Sequence, residues 1–351
     1  MPAGKSAAAE LDEPDRLEQD SRRPPARGAH HPTPGENNLN RRTVFRGAFA
    51  FVAALLLSAT ANAQLFRTYL AVSGNDANPC TLPQPCRLLP AALAAVADGG
   101  EVWMLDSANY NTTTVNITKS VTLLAVPGAV GSVLGNGGTA IAINAAGIEV
   151  TLQNLVIRSF NGDIGVLIGD AGSVNVIGST VLGFKGPAAN GVGIWANTGA
   201  SATKLTVVNT VVRNGQHGIV VAGNARATIS KSNIIGNAGV GVWSNSGTGT
   251  SIVHVNDTVA TGNGSGFVAT GSAGAFTSFL FATRATATEN AGAGFSTDGG
   301  STAYLAVGDS MSTVNGIGLD NAAGILQSRG NNTVTGNTTA TTGTISALGG
   351  L

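Results

Sequence analysis

The sequence predicts an all-β protein, a single parallel β-solenoid of about nine coils with a short capping helix at its N-terminal end. Three observations predict it. The 351 residues include 49 Gly and few aromatics, and from Glu101 onward short runs of Val, Ile, Leu and Thr alternate with Gly, Asn and Ser turns, without helical period. One pattern is spoken twice in succession, LTVVNTVVRNGQHGIVVAGN and then ATISKSNIIGNAGVGVWSN. Two columns share one spacing of about 25 residues. The apolar column runs Ile117, Ile143, Ile168, Ile194, Val221, Val242, Ala269, Thr297, Leu319; the turn column runs Asn161, Asn214, Asn237, Asn263, Asn290, Asn315, Asn337, with Lys185 where a further Asn is expected.

A unit that short has no room for a βαβ crossover, so it reads as one coil of several short strands. A lone coil cannot bury its apolar face. Stacked coils bury a continuous core, each strand pairing with its equivalent ~4.8 Å away. Stacked Asn amides then bond to one another, and Asn and Gly tolerate the left-handed backbone of a tight corner.

The N-terminal region reads differently. Residues 1–36 are rich in Pro, Ala and charge and read as a disordered extension. Residues 37–63 carry a basic stretch (Arg41, Arg42, Arg46), an apolar run and Ala61-Asn62-Ala63. That order predicts a secretory signal peptide cleaved near Ala63, with an apolar run too short to span a membrane. Arg41-Arg42 leaves a twin-arginine signal open beside ordinary export. Signal peptides begin at the start of a chain, so a translation start near Leu39 is expected. The exported part stays near neutral in charge, which excludes the electrostatic footprint of a nucleic-acid binder.

Residues 64–100 read as an N-terminal cap with a cysteine pair. An oxidising compartment predicts a Cys80–Cys86 disulfide; zinc is the other reading, without a His or further Cys nearby. Leu89, Leu93 and Val96 fall on one helical stripe with Pro90 in the first turn, and Asp98-Gly99-Gly100 ends it. This helix is expected to plug the open end of the solenoid at 101–351. No C-terminal cap is legible.

The segment VSGNDANPCTLPQPCRLLPAALAAVADGGEVW and the coils SNIIGNAGVGVW and DTVATGNGSGFV resemble right-handed parallel β-helix proteins of the pectate-lyase-like superfamily, over roughly Thr68 to Leu351. The resemblance implies a right-handed coil. It implies no single activity, since that superfamily spans lyases, hydrolases, epimerases and adhesins. Its glycosidase motifs are not matched: Ser296-Thr297-Asp298 and Gln216-His217-Gly218 are imperfect and in reversed order.

The outward positions of the short strands are expected to be Gly193, Val220, Gly241, Val268, Ser296 and Gly318, a flat uncharged face. A lyase needs a basic residue and a cation, a hydrolase converging carboxylates. The next column is expected to hold Trp195, Ala222, Trp243, Thr270, Asp298 and Asp320. Asp298 and Asp320, ~5 Å apart on adjacent coils, would make a carboxylate pair or a Ca2+ site, or two solvated turn residues. Trp195 and Trp243, ~10 Å apart, would stack on sugar rings or pack under loops. His217 reads as a corner residue, and His254 lies on a different strand near Phe281, so the two histidines do not converge. Phe279, Phe281 and Tyr304 would form an outward apolar patch beside Ile252, or fill the core if the register slips by one, and the core is expected. Thr206, Thr228, Thr258 and Thr286 keep no regular ice-binding column.

Two functional readings follow. One is a secreted, non-catalytic surface for a polysaccharide or cell-envelope component, without cofactor. The other is a lyase or glycoside hydrolase of acidic polysaccharides at Asp298 and Asp320, with Ca2+.

Overall fold

The computed structural model describes residues 64–186, 190–199, 202–247, 249–272 and 276–349. The expected extension, signal peptide and export signal at 1–63 lie outside the described residues. Among those described, no helix is long and apolar enough to cross a membrane.

Strand β1 (Leu65–Leu70) opens the solenoid, helix α1 (Leu89–Ala95) follows, and β2 (Val96–Met104) pairs with β1 in parallel. The helix buries Leu89, Ala92 and Leu93 against the first coil and has Pro90 in its first turn. It ends three residues before the expected stop, because Val96 already bonds across to Leu65 as strand. Cys80 and Cys86 form a disulfide in the loop ahead of it, with Cα atoms 4.6 Å apart.

Every later coil contributes one strand to each of three parallel sheets, of twelve, ten and ten strands. In sequence order a coil passes from sheet 1 (for example Lys204–Val208) to sheet 3 (Val211–Arg213) to sheet 2 (His217–Gly223). Alternate residues point in. The inner stack of sheet 2 reads Val115, Ile141, Val166, Ile194, Ile219, Val242, Phe267, Phe295, Leu319, nearly all fully buried. Phe267 and Phe295 stack with ring centroids 5.1 Å apart. Ile117, Ile143, Ile168, Val221, Ala269 and Thr297 belong instead to the next inner stack, two residues on. Alternation fixes which face a residue takes, but a slip of two residues preserves that face. The apolar pattern therefore could not set the column.

Both tight corners use left-handed backbone. Between sheets 1 and 3 the residues with positive φ include Asn154, Gly178, Asn209, Lys231, Asp257, Arg284 and Asp309. After Gly178, Asn209, Lys231 and Asp257 the next residue is a buried hydroxyl: Ser179, Thr210, Ser232 and Thr258 each accept the N–H of the preceding coil, at 3.1–3.4 Å. The sequence reading missed this Ser/Thr ladder. Between sheets 3 and 2 stands the asparagine ladder. Each Nδ2 donates to the next Oδ1 through Asn237, Asn263, Asn290, Asn315 and Asn337, at 2.9, 3.1, 2.8 and 3.0 Å. Each Oδ1 also accepts the backbone N–H of the residue one coil back, with Gly215 taking the first place. Asn161 and Asn214 lie outside the ladder, in left-handed backbone with φ of 57° and 58°. Asn suits both roles, so its presence did not say which of two neighbouring positions was which.

The outer face of sheet 1 changes along the rod. Thr122, Thr151, Asn175, Thr206 and Thr228 form one outward column, which the sequence reading had not found; Thr258 is buried and Thr286 lies on sheet 3. Its neighbouring columns are not threonine, so no Thr-x-Thr surface results. Farther along, Phe279, Phe281 and Tyr304 face outward beside Ile252, against the expected core placement. Their strand alternates with Leu280 and Ala282, which fill the core, and a one-residue slip would bury none of these rings without expelling those two. His254 stacks on Phe281 at 5.0 Å, 15° from parallel.

Candidate functional site

Sheet 2 carries the site, because its outward column breaks its own pattern. In register the column reads Asn116, Ala142, Leu167, Trp195, Val220, Trp243, Val268, Ser296, Asp320, Thr342. Two large aromatic side chains stand two coils apart, ~10 Å, with one smaller Val between them. Trp195 and Trp243 are therefore brought together as expected in one column. They bound a groove of about 440 Å³ whose floor includes Val220 and Ala222 and whose polar lining is Asn190, Asn197, Asn245 and His217. Among the described residues, no carboxylate and no Lys or Arg lines it.

The two tryptophans differ in one respect. Trp243 Nε1 donates to Thr270 Oγ1 at 2.9 Å. The matching position beside Trp195 is Ala222: Asn197 pairs with Ala222 as Asn245 pairs with Thr270. Ala has no acceptor, and the buried Nε1 of Trp195 has no partner. A buried unmade hydrogen bond costs about 1–3 kcal/mol.

His217 lies inside this groove rather than at a bare corner. It opens the strand His217–Gly223 and pairs with Val192 on the coil before. Its Nδ1 accepts the backbone N–H of Val240 at 3.1 Å, and its ring packs 5.2 Å from Trp243. Burial holds its pKa below the ordinary value. Sequence reasoning set His217 aside because it follows a turn. The available signal was its column, where Val192 and Val240 flank it.

Asp298 and Asp320 are not brought together as a pair. Asp320 is in the tryptophan column, opposite Ser296, whereas Asp298 is two residues further along its strand, opposite Thr270. Two strand residues and one coil separate them diagonally, ~8 Å between backbones. The two-residue slip that misplaced the inner stack also misplaced this pair. Asp320 accepts hydrogen bonds from Thr342 Oγ1 and from Ser296 Oγ; Asp298 accepts its neighbour Gly299 N–H at 2.7 Å. Ca2+ takes six to eight oxygen ligands. No group of three or more His, Cys, Asp or Glu side chains that could hold a metal ion occurs among the described residues. A wider hollow of about 670 Å³ lies at the corner by Phe160, Asp163 and Lys185, apart from the tryptophans.

A family model described as "Right handed beta helix region" matches residues 104–257 and again 139–311, together more than half of the chain. Solved structures with the same architecture include a pectate lyase, Pel9A (15% identity, 80% of this chain and 79% of that one, TM-score 0.49). An alginate lyase from Paenibacillus sp. str. FPU-7 gives 11% identity over 81% of this chain and 100% of its own, TM-score 0.44. A GH136 lacto-N-biosidase from Eubacterium ramulus gives 12% over 88% and 71%, TM-score 0.43. No curated protein matches by sequence.

Proposed function

We infer that this chain, which belongs to the family of right-handed β-helix proteins, binds a neutral polysaccharide in the groove between Trp195 and Trp243 and does not turn it over. The observation that carries this is the groove's lining: two indoles facing one channel, amide side chains around them, and no charged group. Aromatic faces pack against the apolar C–H faces of sugar rings, and amides of the Asn190, Asn197 and Asn245 kind meet hydroxyls as donor and acceptor at once. Uronic acids, by contrast, call for a cation that this lining lacks. Asp298 and Asp320 lie outside the lining of this groove, so a polymer seated between the tryptophans does not meet them.

Export by the segment at 37–63 and presentation outside the cell or to its envelope are part of the same proposal. A Cys80–Cys86 disulfide suits an oxidising compartment.

The test is retardation in native gels containing neutral polysaccharides (a glucan, a mannan, a xylan) beside acidic ones (pectate, alginate), together with assays for reducing ends and unsaturated products. Retardation by a neutral polymer without product formation is the expected result. Product formation that Asp298→Ala or Asp320→Ala abolishes would replace this reading with the enzymatic one.

A further inference from the structure

His217 is held in a way that only one protonation state allows. The N–H of Val240 belongs to a strand whose neighbours bond coil to coil through backbone carbonyls: Gly239 N–H reaches Gln216 O at 2.7 Å, and Ser265 N–H reaches Gly239 O at 3.2 Å. Val240 N–H instead ends on the imidazole Nδ1 of His217. A ring nitrogen accepts only when it carries no proton, so this contact fixes His217 as neutral with its proton on Nε2. The ring is also seated closely. A Cβ on Gly239 would stand 2.6 Å from Cε1 and 2.7 Å from Nδ1, so glycine is required there for the imidazole to lie over the chain. On its other side the ring packs against Trp243.

We propose that His217 is a positioning residue of the groove: neutral, it pins the start of strand Val240–Asn245 and so sets the Trp243 wall, and its protonation releases that wall and weakens ligand binding. On protonation Nδ1 becomes a donor facing the donor of Val240, and one of the two must move. Nothing near offsets the new charge. The strands Val192–Thr198, His217–Gly223 and Val240–Asn245 carry no other ionisable side chain, and neither does the groove lining. The corner that holds Gln216, through Phe184 O, carries Lys185 and, in the same hollow, Asp163, a cation and an anion that offset each other. The charged ring therefore turns toward water, and the contact with Trp243 goes with it. Burial, which lowers the pKa of His217 from its ordinary value of 6.5, places this release in mildly acid solution.

The ligand-binding part rests on the carbohydrate reading above; the release of Trp243 does not. Both are read on the intact protein. Where only the neutral form binds, affinity for the retarding polysaccharide falls about tenfold for each pH unit below the folded pKa of His217. His217→Gln keeps a side-chain oxygen as acceptor but does not titrate. Whatever its affinity at neutral pH, it is expected to lose this pH dependence. Wild-type binding that is flat from pH 8 to 4, or a variant that binds at neutral pH and follows the wild-type pH profile, would overturn the proposal.

A second readout needs neither ligand nor a His217 variant. The difference in tryptophan emission between wild type and Trp243→Phe is expected to titrate below pH 6.5, together with the His217 ring proton shifts in a nuclear magnetic resonance titration. If the emission moves while no polysaccharide binds, the carbohydrate reading falls and the positioning role stands. If His217 titrates and the Trp243 emission does not follow, the positioning role falls.

Discussion

Along the corner between sheets 3 and 2, five successive coils place the same side chain in the same spot, buried from Asn237 to Asn315 and half-buried at Asn337, and each amide bonds to the next. A few residues further along those coils, the outer column of sheet 2 places Trp195, Val220, Trp243, Val268, Ser296 and Asp320 in turn. The corner repeats because each coil must solve one problem, the pairing of a buried backbone N–H where the chain turns. Water supplies partners on the outer face, so nothing there obliges coils to agree. Repetition in this molecule marks what stability requires, and departure from it marks where a ligand can be recognised.

The comparison predicts that damage to repeated positions lowers stability. Phe295→Ala is expected to cost the most, about 3–5 kcal/mol, since it removes a fully buried ring from the inner stack beneath Phe267. Denaturant unfolding measures it. Asn290→Ala should cost about 2–3 kcal/mol, because it leaves Asn263 Nδ2 and N–H without their acceptor and Asn315 Oδ1 without its Nδ2 donor in a dry corner. In a solenoid such losses weaken the interface between neighbouring coils, so hydrogen exchange should rise first in the coils on either side. Uniform acceleration over the whole rod would argue against that local picture.

At the groove the same logic predicts a gain. Ala222→Thr would give Trp195 the partner that Thr270 gives Trp243, and stability should rise by about 1 kcal/mol. No gain would mean that the two tryptophans are not equivalent in geometry. The smallest effect is expected at the exposed Arg284–Asp257 pair, a two-pronged contact at 2.6 and 2.9 Å. Arg284 lowers the pKa of Asp257, so the pair contributes above the ordinary aspartate value of 3.8 and is lost as pH falls through the lowered one. Both side chains face water, so Arg284→Ala should shift thermal unfolding little, and less at high salt.

The solenoid was legible in the sequence because stacking forces equivalent residues to recur at one coil length. The disulfide partners and the stripe on α1 were legible for equally local reasons. Column membership was not. Val221 and Ile219 both point inward and both are apolar, so the two-residue slip that moved Asp298 beside Asp320 cost the pattern nothing. Turn lengths, which vary from coil to coil, set the true register. The outward placement of Phe279, Phe281 and Tyr304 was misread for the opposite reason: large rings suggest core, but Leu280 and Ala282 had already filled it. Trp195 and Trp243 were legible as a pair. The place of His217 between them was not, since only the fold brings the turn after Asn214 up against Trp243.

The central claim is that binding resides in the broken column and not in the ladder, and one experiment compares them directly. Wild type, Trp195→Ala/Trp243→Ala and Asn290→Ala are run side by side, below their unfolding midpoints, in native gels containing the retarding neutral polysaccharide. The account predicts that the tryptophan double variant migrates as it does without polysaccharide, while Asn290→Ala is retarded like wild type. Undiminished retardation of the tryptophan double variant would contradict it.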